Sequence, residues 1–156
     1  MNIQGLTKTK MIEVEEAVGP NTIMCLTETQ RKVDDIGTKK NLKVLVSMRD
    51  MKDRKGGGLM VMYEEKERLY FEKKECRNAD MMMLEGQVGA VRMRIIVVYL
   101  RTGNEVEVME YNSNIMGEVE EKVQQVQDRE IGVLLLGDFS AHLGYVGHIR
   151  GIEMEK

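Results

Sequence analysis

The chain has 156 residues, 42% of them hydrophobic and 31% charged, with a net charge of -3. This composition lies in the globular range and excludes disordered, collagenous and disulfide-scaffold classes. No stretch approaches the length of about eighteen apolar residues that spans a bilayer, and no basic segment with an apolar run behind it opens the chain, so a soluble intracellular protein of one domain is expected.

From the N-terminus, Thr7 to Val18 predicts a helix with Met11, Val14 and Val18 on one face, stopped by Gly19-Pro20. Ile23 to Leu26 is a short apolar run suited to a strand buried on both faces, and it delivers Thr27-Glu28-Thr29 to its C-terminal end. Asn41 to Met48 is a second strand candidate, and Gly56-Gly57-Gly58 leads into a third, Leu59 to Tyr63. Met81 to Val88 and Val91 to Leu100 predict an antiparallel pair, since only Gly89 and Ala90 separate them. Between Asn104 and Gln127, Met109, Met116, Val119, Val123 and Val126 recur at helical spacing; that face is expected to be buried, with Glu118, Glu120, Glu121 and Lys122 in water. Val133 to Leu136 is a continuous apolar strand ending abruptly in Gly137-Asp138.

Several features fit a plain structural account. The fourteen methionines are expected to fill strands and core gaps. Cys25 and Cys76 have no metal-ligand spacing and read as buried reduced thiols. The densest basic stretch, Arg49, Lys52, Arg54 and Lys55, is interrupted by Asp50 and Asp53 and suits a solvated loop. The negative net charge also argues against a broad nucleic-acid footprint, which draws on clustered Lys and Arg.

Two carboxylates stand out because each follows a buried strand, where α/β sheets usually build their sites: Glu28 and Asp138. Magnesium takes oxygen ligands and usually one or two carboxylates, so a pair would suffice. Taken singly, Glu28 reads as well as an exposed loop residue, and Asp138 as the cap of a turn.

In order along the chain, Asn2-Ile3-Gln4-Gly5-Leu6, Leu26-Thr27-Glu28-Thr29, Gly56-Gly57-Gly58, Val97-Val98-Tyr99 and Leu134-Leu135-Leu136-Gly137-Asp138-Phe139-Ser140-Ala141-His142-Leu143-Gly144 resemble the motifs of the exonuclease–endonuclease–phosphatase superfamily. They are most similar to those of the endonucleases of non-LTR, LINE-type retrotransposons. The last segment is the specific one; the others would each occur by chance in many proteins. The resemblance implies a two-sheet α/β sandwich of DNase I-like type with helices outside. This chain would supply the first sheet and an incomplete second one, so that residues 1–156 form a single partial domain.

The activity implied is metal-dependent hydrolysis of a phosphodiester, with DNA as substrate, Mg2+ or Mn2+ as cofactor, and a nuclear site of action. Carried over by motif, Glu28 is the metal ligand, Asn2 assists around metal or phosphate, Tyr99 hydrogen-bonds the phosphate, and Asp138 orients or deprotonates the attacking water. Three departures bear on activity. Ser140 stands where the family has asparagine, and its shorter hydroxyl offers one donor in place of a planar amide. The family's later aspartate and S-D-H motif are absent after Gly144; His142 belongs to the signature loop and His148 has no acidic neighbour before it. Finally, the family has most of a strand upstream of Asn2. Two readings of different class follow: a nuclease domain of weak or no turnover, or a noncatalytic remnant of the fold that binds metal, nucleic acid or a partner. An incomplete sheet would also leave apolar surface open to association.

Overall fold

A computed structural model describes residues 2, 4–30, 41–47, 57–126 and 129–139. Its elements in chain order are helix α1 (Lys8–Ala17) and strands β1 (Ile23–Thr27), β2 (Leu42–Ser47), β3 (Leu59–Glu64), β4 (Leu69–Lys74), β5 (Met81–Val88) and β6 (Val91–Tyr99), followed by helix α2 (Val106–Gln124) and strand β7 (Gly132–Asp138). The strands form two sheets, a three-stranded one in the order β1-β3-β2 and a four-stranded one in the order β4-β5-β6-β7. All pairings are antiparallel except β6 with β7, which are parallel and joined through α2.

Three apolar clusters explain the layering. The alternation of side chains along each strand sends one set inward, where Leu59, Val61 and Tyr63 of β3 meet Leu69, Phe71, Met82, Leu84, Ile95, Val97 and Tyr99 of the second sheet. The other set of the first sheet, with Leu26, Met60 and Met62, is covered by Met11, Val14 and Val18 on and just after α1. The outer set of the second sheet, with Met81, Met83, Ile96 and Val98, is covered by Ile115 and Val119 of α2. The architecture is therefore the expected α/β sandwich, two sheets face to face with a helix outside each. Among the described residues, Met11, Met60, Met62, Met81, Met82 and Met83 are buried in these layers, in keeping with the gap-filling role expected of methionine here.

The helix ends follow from local chemistry. Thr7 caps α1, its hydroxyl accepting the Lys10 N–H at 3.2 Å. At the other end Gly19-Pro20 prevents continuation. The two-residue turn between β5 and β6 forms where predicted, with Val88 opposite Val91 and Gly89 in the left-handed region.

Four features differ from expectation. Strand β4 was not anticipated. It is a short edge strand of alternating burial whose polar half, Glu72-Lys73-Lys74, hides its periodicity, and it is fastened by a Tyr63 hydroxyl that donates to the Phe71 carbonyl and accepts the Phe71 N–H at 2.9 Å. The rings of Tyr63 and Phe71 meet edge to face with centroids 5.4 Å apart.

On and just after α2, Val119 and Val126 are buried as predicted, but the N-terminal half of the stripe falls one residue before the predicted methionines. Val108 and Ile115 face inward, Met109 is 55% exposed, and Glu118, expected in water, is 1% exposed. Glu118 goes inside because it accepts hydrogen bonds from the Arg77 N–H at 2.8 Å and the Asn78 amide at 2.6 Å.

The third difference is in β7, where Val133 and Leu134 are exposed, because among the described residues β7 is the edge of its sheet. The fourth is in β1, expected to be buried on both faces: Ile23, Met24 and Cys25 are half-buried, and only Leu26 and Thr27 are fully covered. The basic loop residues, Gly56, Ser140, His142 and His148 lie outside the described residues. No described helix is long and apolar enough to cross a membrane.

Candidate active site

Strands β1, β6 and β7 end at the same rim of the sandwich. The parallel register of β6 and β7 places Tyr99 opposite Asp138, and the Leu100 N–H extends the ladder to the Asp138 carbonyl at 2.9 Å. Gly137 permits this approach. A side-chain carbon there would sit 2.1 Å from the Val98 carbonyl oxygen.

Glu28 follows β1 directly. It adopts a left-handed backbone at φ +57°, as do Gln30 and, on the facing N-terminal segment, Gln4. Non-glycine residues in that region cost on the order of 1–3 kcal/mol and persist only where neighbours hold them. Here the neighbours are backbone groups: the Glu28 carbonyl takes the Gly5 N–H at 2.8 Å, the Thr29 carbonyl takes the Leu6 N–H at 3.0 Å, and Thr29 and Gln30 donate to the Gly58 and Gly57 carbonyls. Gly58 is required at φ +90°, where an added carbon would stand 2.8 Å from the Thr29 hydroxyl. The predicted glycine run thus braces the Glu28 turn.

The side chains converge on this rim. The Tyr99 hydroxyl donates to Glu28 Oε1, joining the two sheets. Asn2 forms a parallel bridge with Thr27, and its side-chain nitrogen donates to Asp138 Oδ2 at 2.7 Å. The orientation of that amide is fixed by its oxygen, which accepts the Gln4 N–H at 3.1 Å. Tyr99 is buried, Glu28 and Asp138 are half-buried, and Asn2 is exposed, so the cluster opens to solvent. Four of the five residues singled out from the sequence are therefore brought together; the fifth, Ser140, falls outside the described residues.

The donor set is all oxygen and amide: two carboxylates, a phenol and an asparagine. Among the described residues, no group of three or more His, Cys, Asp or Glu side chains gathers as a metal cage. A hard cation that takes one or two carboxylates and completes its shell with water and phosphate fits this set; a four-ligand zinc centre does not. Sequence reasoning missed Asp80, which is fully buried behind Tyr99 and whose carbonyl accepts the Tyr99 N–H at 2.9 Å. Its position just before β5 carries no motif.

No family model and no curated protein matches the sequence. The fold does match solved structures. The chain is similar to the 3′ phosphatase NExo from Neisseria bound to product DNA hairpin, with a TM-score of 0.62 and 17% identity over 88% of this chain and 55% of that one. It is similar also to the 3′-5′ exonuclease NExo of Neisseria meningitidis, with a TM-score of 0.59 and 18% identity over the same shares. A third likeness, to TDP2 from Caenorhabditis elegans, has a TM-score of 0.50 and 18% identity, covering 81% of this chain and 40% of that one. The chain thus shares the two-sheet α/β sandwich of these structures, which is the expected DNase I-like fold. The chain spans 55% of the length of the NExo proteins that it matches.

Proposed function

We propose that this chain carries the site of a divalent-metal-dependent phosphodiester hydrolase acting on DNA, and that it derives from a LINE-type retroelement endonuclease. The observation that carries the reading is the convergence of Asn2, Glu28, Tyr99 and Asp138, from four separate segments, on one rim through two side-chain hydrogen bonds. The retroelement origin rests on the Gly137-Asp138-Phe139-Ser140-Ala141-His142 resemblance. The fold's likeness to a 3′ phosphatase bound to DNA supports the substrate class.

Glu28 is the residue that would hold the metal, Mg2+ or Mn2+, which when bound polarises the phosphoryl group and steadies the leaving oxygen. The chain's own residues then divide the work. Tyr99 fixes the Glu28 carboxylate by donating its single hydroxyl proton, and turns that donor to a phosphate oxygen when a cation takes its place on the carboxylate. Asp138, held by the Asn2 amide, presents its carboxylate at the rim to orient a water and take its proton. Asn2 limits the rotation of that carboxylate.

A second reading, a noncatalytic remnant that binds nucleic acid, metal or a partner, is favoured by one observation: Ser140 stands where the resemblance leads one to expect an asparagine, and its hydroxyl offers one donor in place of a planar amide. Incubation of supercoiled plasmid with the protein and Mg2+ or Mn2+, beside a Glu28→Ala, Asp138→Ala double variant, separates the two. Nicking by the native chain alone upholds the hydrolase; equal, background nicking by both proteins leaves the remnant.

A further inference from the structure

The Tyr99 ring lies in the core between the sheets, whereas Val98 and Leu100 on either side of it point to the opposite face, under α2. On that opposite face stands a polar group that the proposed chemistry does not use. Asp80 is fully buried. Its carboxylate accepts the Tyr111 hydroxyl at 2.9 Å and pairs with the Arg101 guanidinium at 3.5 Å. The central carbon of that guanidinium stands over the Tyr111 ring, 3.4 Å from its centre. Asn112 then closes the knot, its side-chain oxygen accepting the Arg101 N–H and its nitrogen donating to the Arg101 carbonyl, both at 2.9 Å.

The knot encloses the end of β6. Tyr99 is tied by its N–H to the Asp80 carbonyl, and two residues later Arg101 is tied by its side chain to the Asp80 carboxylate and by its backbone to α2. One residue thus grips the chain on both sides of the link that carries the phenol to Glu28. A buried carboxylate is expensive to desolvate, and its retention calls for a role other than filling space.

We infer that Asp80 is a positioning residue for Tyr99: held by Arg101 and Tyr111, it sets the backbone from which the Tyr99 hydroxyl reaches Glu28. The inference deepens the proposed function and rests on it for its catalytic meaning, but the geometry it asserts is independent of turnover.

The test uses the full chain labelled with 3-fluorotyrosine. The fluorine resonance missing from Tyr99→Phe is that of Tyr99, and its position in Glu28→Gln defines the state released from the carboxylate. In Asp80→Asn and in Tyr111→Phe, the latter removing a single hydroxyl, the Tyr99 resonance is expected to move toward the Glu28→Gln position and to broaden. Where nicking is measurable, kcat falls on the order of 10-fold to 100-fold with KM little changed, as expected when a reacting group is displaced by a fraction of an ångström. A resonance unmoved in Tyr111→Phe, or in folded Asp80→Asn, overturns the inference, because a purely structural knot would lower the melting temperature and leave the phenol where it was. The resonance shift is read without metal or DNA, so it supports the clamp whether or not the plasmid is nicked, and the two proposals fail separately.

Discussion

Glu28 and Asp138 each accept a hydrogen bond from a neutral donor, a phenol in one case and an amide in the other. Such donors hold a carboxylate in place and leave its charge available to a cation or a water. Asn2 is exposed, so Asn2→Ala is expected to alter stability by less than about 0.5 kcal/mol. On the proposed function the same change lowers nicking on the order of 10²-fold, by freeing Asp138; melting and plasmid nicking measured on one preparation check both. Elsewhere burial pushes the Cys25 thiol up from 9.0 to about 11, and burial likewise raises the Tyr63 phenol above its usual 10.0. A group whose pKa is raised by folding contributes stability that is complete below its unfolded pKa and lost as pH rises through its folded one. The melting temperature should therefore hold up to about pH 9 and fall between pH 9 and 11, and Cys25→Ala should flatten the first part of that decline. Glu28, Tyr99 and Asp138 stood out in the sequence because each lies at the C-terminal end of a strand within a motif, whereas Asn2 rested on the opening motif alone. Their hydrogen bonds were not legible, since Asn2 and Asp138 meet only through the fold.

At the scale of elements, the joints that matter are polar. Glu118 fastens α2 to the connection between β4 and β5, and the guanidinium of Arg94 on β6 fastens the helix by donating to the Lys122 carbonyl near its C-terminal end, while its Nε donates to Glu85 of β5 at 2.9 Å. Glu118→Ala strands the Arg77 N–H and the Asn78 amide and should cost about 1–3 kcal/mol in urea unfolding, with Glu118→Gln costing less. Gly58→Ala should lower the melting temperature too, because both its backbone angle and the Thr29 hydroxyl oppose a side chain. Most elements could be read from periodicity and breakers. The N-terminal half of the α2 face could not, whereas Val119 and Val126 could. The inward side also takes Glu118, Tyr111 and Asn112, polar residues whose partners on other elements alone explain their place there.

At the scale of the whole molecule, the β7 side of the second sheet, an edge among the described residues, bears on behaviour in solution. From Ile131 to Gly137 the chain carries no charge, and Val133 and Leu134 are exposed at a strand edge beside a shallow groove lined by Val123, Val126 and Ile131. Natural edges are usually blunted by charge, as β4 is here with Glu72, Lys73 and Lys74. Leu134→Lys should accordingly raise the fraction of monomer at high concentration, read by light scattering after size exclusion, with the far-UV spectrum unchanged. The sandwich itself was legible from ordered motifs and alternating elements. The division into three strands and four was not, because it depends on β4, whose inward side chains number only Leu69 and Phe71.

The rim residues lie at positions 2, 28, 99 and 138, and the strands that bring Tyr99 beside Asp138 pair in parallel only after the whole of α2 has crossed over. Contacts of that kind close long loops and form slowly. Until the last loop closes, Glu28 and Asp138 sit on separate stretches of chain, and the proposed site, which calls for a metal-holding carboxylate beside a water-orienting one, is not assembled. Native-like chemistry at this rim would be a clock for the completion of folding, and the uncharged β7 strand would stay open to other chains for as long as that clock runs.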